Sequence, residues 1–390
     1  MCIRDRFYCF AFSSKSSQQQ QQQQQIRTTA AEISHSFPTS EFVPQFWFSN
    51  NHIQTITGFF ARNRNLALTQ FQWDTREKMK TSDNENYFSV DYKFVEQPQV
   101  EQEETQDPPP PLVLICHGLQ SNSKSPLVKD MAIAFNKIGM NVACIHFRGC
   151  CDEPNMKSFG YHLSFTDDLE FMVQHISSTQ PKTRLYLSGF SLGANVVTKF
   201  LADIGTDATI KYNICGAAVN AVPFDLVPTA PNMNTPTLTK FLYGDRLLKS
   251  IQESAIEALE MTKNNNKYSY TPQQVMECQT INEIEDLVVC PEFGFQDWRD
   301  YYTQSSTLNI LDKVSVPQLV VQALDDPFFK GNTNPPNDKT LPLRIHYTET
   351  GGHCGYTFYS KPEELDGGTW MTRELARFLK HVEDLSLIHI

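Results

Sequence analysis

Short apolar runs alternate with amphipathic segments through most of the chain. The apolar runs are at residues 112–116, 141–147, 185–187 and 214–222, and the same rhythm resumes at 318–321 and 343–347. Apolar residues recur at helical spacing between or after them, at 122–138, 167–176, 192–201 and 372–382. Continuous apolar strands that alternate with amphipathic helices are typical of a parallel sheet covered on both faces. The pattern therefore predicts an α/β fold with a mostly parallel central sheet and helices on both of its faces.

The segment 223–311 interrupts this alternation. It is longer than an ordinary connection between two sheet strands, and it carries helical patterns at 239–248, 251–262 and 298–302. Long insertions in compact α/β folds are usually functional. We predict an α/β domain over 38–385, within which 223–311 forms a helical cap over the carboxyl ends of the strands.

The two ends of the chain differ from the rest in composition. Residues 13–37 are polar and include an unbroken glutamine tract at 18–25, so we predict that residues 1–37 form a disordered tail. Residues 1–6 and 385–390 resemble translated sequencing-adapter remnants, and we expect neither end to be native. No apolar run is long enough to span a membrane. We therefore expect a cytoplasmic protein, with membrane association left open because an anchor could have been lost with the native start.

Composition and charge are those of a globular protein without a nucleic-acid partner. The chain has 390 residues, of which 40% are hydrophobic and 20% charged, as in soluble globular proteins. Its formal net charge of −11, without a basic cluster, argues against a nucleic-acid partner. A membrane surface stays compatible with this charge, because local patches matter more than the total. The ten cysteines are scattered and several lie in apolar strands, so we expect a reducing compartment. They form no CxxC pair, so we expect no metal site, and we expect no cofactor.

The most informative motif is Gly189-Phe190-Ser191-Leu192-Gly193, between an apolar run and a helical pattern. A serine between two glycines on a strand-to-helix turn is typical of a nucleophile elbow. The glycines allow a sharp turn that exposes the serine hydroxyl above the helix N-terminus, where backbone N–H groups lack partners. We predict that Ser191 is a nucleophile and that the Leu192 N–H is one oxyanion donor.

An acid and a histidine follow in the order expected for an α/β-hydrolase. The run 318–321 leads into Asp325 and Asp326, and the segment 343–347 leads to His353, which Gly351-Gly352 precede and Cys354-Gly355 follow. Serine, then aspartate, then histidine is the chain order of that fold's catalytic triad. His353 would take the proton of Ser191, and the aspartate would orient the imidazole.

Two details of this constellation follow from position. The acid usually stands three residues after a small residue at the strand end, and counting from Ala323 favours Asp326, with Asp325 as the alternative that would shape the loop. The second oxyanion donor belongs in the loop after the first central strand, where the Leu119 N–H follows His117-Gly118. We expect His117 to be structural, because it ends a strand and can hydrogen-bond to backbone.

Several further motifs occur together with this constellation. They are Phe42-Val43-Pro44, Asn51-His52-Ile53-Gln54-Thr55-Ile56, His117-Gly118-Leu119, Arg148-Gly149-Cys150, Glu153-Pro154-Asn155, Tyr161-His162, and the extensions of the three catalytic motifs to Asn195, Pro327 and Tyr356. The set resembles the YheT-like branch of the α/β-hydrolase superfamily, which includes mammalian abhydrolase-domain lipid esterases, over about residues 40–380. The resemblance implies a carboxylic-ester hydrolase that acts on a small or lipid ester, with acylglycerols or phospholipids as candidates, through Ser191, Asp326 and His353.

Two other functions remain open at this point. The same serine could pass its acyl group to an alcohol instead of water, which would make the protein an acyltransferase. A catalytically inactive protein could also use the hydrolase pocket for binding alone. Five aromatic residues of the cap could line an acyl channel or belong to its core: Phe293, Phe295, Trp298, Tyr301 and Tyr302.

Overall fold

The computed structural model describes residues 3–81, 86–96, 108–151, 160–262, 268–331, 333–357 and 369–386. Eight strands form one sheet in the order β1-β2-β4-β3-β5-β6-β7-β8. The pairs β1–β2 and β2–β4 are antiparallel, and the other five are parallel. The strands are β1 Thr75–Lys80, β2 Tyr87–Lys93, β3 Leu112–Cys116, β4 Asn141–Ile145, β5 Leu185–Phe190, β6 Ile214–Asn220, β7 Gln318–Ala323 and β8 Leu343–Thr348. The predicted α/β-hydrolase fold is confirmed.

Helices cover the sheet and fill the insertion. They are α1 Ile3–Ser36, α2 Asn51–Asn63, α3 Leu66–Gln70, α4 Pro126–Lys137, α5 Asp167–Thr179, α6 Leu192–Ile204, α7 Asp207–Ile210, α8 Ala230–Asn234, α9 Asp245–Met261, α10 Pro272–Glu277, α11 Ile281–Ile284, α12 Cys290–Phe293, α13 Trp298–Ser305 and α14 Trp370–Ser386. Shorter 3₁₀ turns span Phe46–Phe48, Val227–Thr229 and Leu308–Lys313, and π-helical turns span Lys240–Gly244 and Glu285–Val289.

The central strands read as apolar runs because both faces of the sheet are covered. Along β3, Leu114 packs into a core shared with α5 and α6, whereas Val113 and Ile115 pack into a second core shared with α4 and α14. Successive side chains of a strand point to opposite faces, so two buried faces require apolar residues at every position. The apolar pattern does not predict the edge strand β1, because this strand is largely polar and only Met79 of its six residues is buried.

The N-terminal segment corrects one prediction. Residues 3–36 form α1, so the expectation of a disordered tail over 1–37 is wrong for them. The last turns of α1 dock on the sheet: Ala30 and Ser34 are buried, and Ser34 Oγ donates a hydrogen bond to the Pro342 carbonyl at 2.5 Å. Glutamine is a good helix former. A polar tract can therefore continue a helix that is anchored by a few apolar residues at one end.

The segment between β6 and β7 contains α8 to α13. Its buried side chains form a third hydrophobic cluster, which meets the sheet body at Leu119, Leu163 and Phe293. The predicted helical patterns at 239–248 and 251–262 merge into one continuous run, the π-helical turn Lys240–Gly244 followed by α9. No helix of the described ranges is both long and apolar enough to cross a membrane.

Candidate active site

Ser191 lies on a strained turn between β5 and α6. Its backbone angles are φ 54° and ψ −122°, in a region that residues other than glycine rarely adopt. Strain of this kind persists only where the surrounding structure enforces it, and it is concentrated at functional sites. The turn presents the hydroxyl of Ser191 to a cavity at the carboxyl ends of the strands.

The glycines on either side of Ser191 are required by close backbone packing. A Cβ atom on Gly193 would collide with the carbonyl oxygens of Cys116 and His117, and one on Gly189 would lie 2.7 Å from the Gly193 carbonyl oxygen. Real Cβ atoms do not approach backbone atoms so closely. The turn can therefore pack against the end of β3 only with glycine at both positions.

Three predicted side chains form a continuous hydrogen-bonded chain. Ser191 Oγ lies 3.0 Å from His353 Nε2, and His353 Nδ1 lies 2.8 Å from Asp326 Oδ2. The carboxylate can only accept, so Nδ1 carries a hydrogen and Nε2 is free to accept the hydroxyl proton of Ser191. Asp326 is buried, and its other oxygen accepts a hydrogen bond from the Phe328 N–H at 2.8 Å. This arrangement can generate an alkoxide-like nucleophile at Ser191.

The neighbouring Asp325 does not contact His353. Its Oδ1 accepts a hydrogen bond from the Gly352 N–H at 2.9 Å, which ties the acid loop to the histidine loop. Burial raises the pKa of Asp325 to about 6, and the adjacent Asp326 carboxylate adds to the rise. Of the two candidate acids, the structure thus brings Asp326 to the imidazole.

Two phenylalanines of the acid loop hold the imidazole ring. The Phe328 ring stacks on His353 with centroids 3.9 Å apart and planes 5° from parallel, and Phe329 meets the same ring edge-on at 5.2 Å. Sequence reasoning missed both. The only signal was their position directly after Asp325-Asp326-Pro327.

Helix α2 holds both catalytic loops from outside the sheet. Thr55 Oγ1 accepts a hydrogen bond from the His353 N–H at 2.9 Å, and Asn51 Nδ2 donates to the Asp325 carbonyl at 2.8 Å. The fully buried Gln54 amide accepts from the Thr357 N–H and donates to the Thr357 carbonyl. The family resemblance included the motif at 51–56, but the sequence alone predicted no role for its residues.

A buried arginine at the far end of α2 completes this support. The Arg62 guanidinium donates to the carbonyls of Cys354 and Gly355 at 2.9 Å each, and it pairs with Asp130 of α4 at 3.2 Å. A Cβ on Gly58 would lie 2.8 Å from the Gly355 Cα, so α2 packs directly on the backbone of the histidine loop.

The two residues predicted to supply oxyanion donors, Leu119 and Leu192, line the same cavity as Ser191. Leu192 begins α6, and Leu119 follows β3. Within the part of the chain that the structure describes, neither N–H donates a hydrogen bond, and both residues line the cavity that contains Ser191. Two unpaired N–H groups beside the nucleophile can receive a developing negative charge.

His117 stands beside this site without entering it. It is fully buried, its Nδ1–H donates to the Gly118 carbonyl at 2.7 Å, and its Nε2 accepts the Phe147 N–H at 3.1 Å. Burial lowers the pKa of His117 to about 3, so the ring is neutral. Both ring nitrogens of His117 are therefore hydrogen-bonded to backbone groups.

Two cavities meet above the nucleophile. The larger has a volume of about 270 Å³ and contains Ser191 and His353, with mostly apolar cap residues opposite them, among them Leu226, Ala230, Met233, Leu247 and Ile281. The smaller, of about 70 Å³, has more polar walls that include Gln120, Arg148, Ser254 and Glu257. Leu119, Leu163, Leu192 and Glu285 line both cavities.

The aromatic residues of the cap divide between wall and core. Tyr302 lines the larger cavity and Tyr301 the smaller. Phe293 and Phe295 pack against the His162 ring at 4.5 and 5.4 Å between centroids, as part of the interface between cap and sheet. Within the described ranges, no group of three or more His, Cys, Asp or Glu residues is placed to hold a metal ion.

Known proteins are similar to this chain in sequence. The family described as "Serine aminopeptidase, S33" matches residues 107–333, a span that includes Ser191 and Asp326 and ends before His353. "Putative esterase YheT" of Escherichia coli K12 is 29% identical over 84% of this chain and 90% of its own length. "Monoacylglycerol lipase" of Saccharomyces cerevisiae is 25% identical over 70% of this chain and 60% of its own length. "Phospholipase ABHD3" of Bos taurus is 26% identical over 71% of this chain and 66% of its own length.

The sheet order, the elbow at Ser191 and the cap define an α/β-hydrolase. The chain belongs to the serine aminopeptidase S33 family, whose match covers more than half of its length. Its relatives confirm the resemblance to the YheT-like branch and show a hydrolase of the esterase and lipase type.

Proposed function

We propose that this protein is a serine carboxylic-ester hydrolase that forms an acyl-enzyme at Ser191. The observation that carries the proposal is the hydrogen-bonded chain from Ser191 through His353 to Asp326, at 3.0 and 2.8 Å, opening into an apolar cavity. The unpaired N–H groups of Leu119 and Leu192 beside it support the same reaction.

The proposed reaction has two halves. His353 Nε2 takes the proton of Ser191 as Oγ attacks the ester carbonyl, and the N–H groups of Leu119 and Leu192 hold the oxyanion, each contributing roughly 3 kcal/mol. The carbon–oxygen bond to the alcohol then breaks, and His353 gives its proton to the leaving oxygen. Water attacks the acyl-enzyme with His353 again as the base, which releases the acid and restores Ser191. Throughout, Asp326 stabilises the charged imidazole.

We propose a fatty acyl ester as the substrate, with acylglycerols as the first class to test. The cavity at Ser191 is apolar on its cap side, as an aliphatic chain requires. Two relatives are named as a lipase for monoacylglycerols and as a phospholipase. These names, together with the apolar wall, favour lipid esters over small polar ones.

Acyl transfer is a second candidate, supported by the cap. The cap covers the larger cavity with apolar side chains, and an active site that excludes water allows an alcohol to compete for the acyl-enzyme. Hydrolysis and transfer share every residue named above, so they differ only in which hydroxyl attacks second.

The test compares the purified wild-type protein with Ser191→Ala. We expect the wild type to hydrolyse p-nitrophenyl butyrate and octanoate and to be labelled by a fluorophosphonate, and the variant to do neither. Equal rates for both proteins would contradict an esterase that acts through Ser191. A wild-type serine inert to the probe would indicate a protein that uses the pocket for binding alone. Ethanol added to the assay distinguishes the two candidate reactions. Ethyl octanoate as the main product indicates acyl transfer, and octanoic acid indicates hydrolysis.

A further inference from the structure

One buried carboxyl group of the cap has no place in the reaction described above. Glu285 begins the π-helical turn that follows α11, and its side chain lies at the junction of the two cavities, in the lining of both. The residue is 6% exposed. Carboxyl groups are almost never buried to this degree unless they are paired.

Only one of the two carboxyl oxygens of Glu285 has a hydrogen-bond partner among the described residues. Its Oε1 accepts from the Tyr302 hydroxyl at 3.2 Å, whereas its Oε2 is buried without a partner among the described residues. The neighbouring Asp286 and Tyr301 supply no positive charge, and Arg148 on the smaller cavity is paired with Asp168 at 2.9 Å. Burial raises the pKa of Glu285 to about 8, so the carboxyl group is protonated at neutral pH.

A purely structural role does not account for this arrangement. A buried polar atom without a partner destabilises the fold, and an apolar residue of similar volume would avoid that loss. Polar groups held unpaired at a cavity wall are instead typical of sites that recognise a complementary group on a ligand.

We propose that Glu285 recognises a free hydroxyl on the alcohol portion of the ester, such as the glycerol of a monoacylglycerol. This inference rests on the proposed esterase function and names the substrate portion that its site selects. A neutral carboxyl group both donates and accepts hydrogen bonds, which matches a hydroxyl. The apolar larger cavity suits the acyl chain, and the polar walls of the smaller cavity, with Gln120 and Ser254, suit the alcohol. Glu285 lies where the two portions would meet.

The experiment measures kcat/KM for three esters of one acid: 1-octanoylglycerol, ethyl octanoate and octanoylcholine, each below its critical micelle concentration. Glu285→Met keeps the volume and removes the hydrogen bonds, whereas Glu285→Gln keeps a donor and an acceptor. We expect Glu285→Met to lower the ratio of glyceryl to ethyl ester activity about fivefold to tenfold, and Glu285→Gln to keep that ratio within about twofold of wild type. Glu253→Met, at a glutamate on the exposed side of α9, is the matched control and should leave the ratio unchanged.

Each other outcome has a distinct meaning. Equal loss on the glyceryl and ethyl esters in Glu285→Met, together with a lower melting temperature, would show a structural carboxyl group and overturn the proposal. A selective loss of octanoylcholine in both variants would identify a subsite for a cationic head group and overturn it as well. Should the wild type hydrolyse none of the three esters, the esterase proposal itself would fail, whatever Glu285 does.

Discussion

The two sides of the catalytic cavity are built differently. On the triad side, the backbone of the histidine loop packs directly against α2, and Thr55, Gln54 and Arg62 hydrogen-bond to that loop. On the cap side, apolar and aromatic side chains form the wall, and Glu285 carries a buried oxygen without a protein partner in the described ranges. The histidine loop is thus held in place by hydrogen bonds from α2, whereas the cap side presents a buried carboxyl oxygen to the cavities.

From this difference we infer that the triad side governs reactivity and the cap side governs selectivity among substrates. A triad must be held within a few tenths of an ångström, and backbone contact with close-packed glycines provides that rigidity. The cap needs only to fit its substrate, which side chains on short helices can do. Changes on the triad side should therefore affect every substrate, and changes on the cap side should affect substrates differently.

The largest expected effect comes from the acid of the triad. Asp326→Asn should lower kcat by about 10⁴, because the amide stabilises the wrong imidazole tautomer and cannot balance the charged ring. Asp325→Asn is its matched control and should keep kcat within about tenfold of wild type, since Asp325 contacts the Gly352 N–H and not His353. Steady-state rates on p-nitrophenyl octanoate decide the matter, and equal losses in the two variants would contradict the assignment of the acid.

The second prediction concerns the buried ion pair beneath the histidine loop. Arg62→Met should lower the free energy of unfolding by about 3–5 kcal/mol, because Asp130 is left as an uncompensated buried charge. Adding Asp130→Asn should restore part of that loss. Arg64→Met, at the exposed C-cap residue of α2, should change stability by less than about 0.5 kcal/mol. Denaturant unfolding gives the free energy of unfolding of the wild type and the three variants. If Arg62→Met alone is as stable as wild type, Arg62 does not support the histidine loop.

The third prediction tests the cap side through pH. Burial raises the pKa of Glu285 from 4.5 to about 8, so between these values the folded protein holds a proton that the unfolded chain has released. Glu285 therefore destabilises the fold increasingly as pH rises from about 4.5 to 8, and it has no such effect below 4.5. Glu285→Gln should be more stable relative to wild type at pH 9 than at pH 5, by about 2–4 kcal/mol. A pH-independent difference in melting temperature would show an ordinary pKa for this group.

The smallest expected effect concerns the hydroxyl that supports His353 from α2. Thr55→Val keeps the side-chain shape but removes the acceptor of the His353 N–H, so kcat should fall about fivefold to tenfold on every ester with little change in KM. Thr57→Val, on the same helix and bonded to Thr357 Oγ1 rather than to His353, should leave kcat within about twofold. If Thr55→Val slowed the reaction of one substrate only, the inference that changes on the triad side affect every substrate would be wrong.

Much of the active site could be predicted from local sequence. The elbow is recognisable because Gly189 and Gly193 meet steric demands that no other residue satisfies. Asp326 and His353 could be proposed because each follows a strand of the predicted parallel sheet. The α1 helix was missed because a glutamine tract carries no apolar periodicity, although its last turns dock on the sheet.

By itself, the sequence determined the fold class, and it allowed a long insertion, the serine, the histidine and a pair of candidate acids to be proposed, because strand patterns and glycine turns are local features of a chain. Only the tertiary structure decided that Asp326 rather than Asp325 meets His353, that Thr55 and Arg62 hold the histidine loop, and that Glu285 lies between two cavities. The Thr55 and Arg62 contacts join residues almost 300 positions apart. No local pattern encodes such pairs, since they arise when separate elements pack and enclose one another's polar groups.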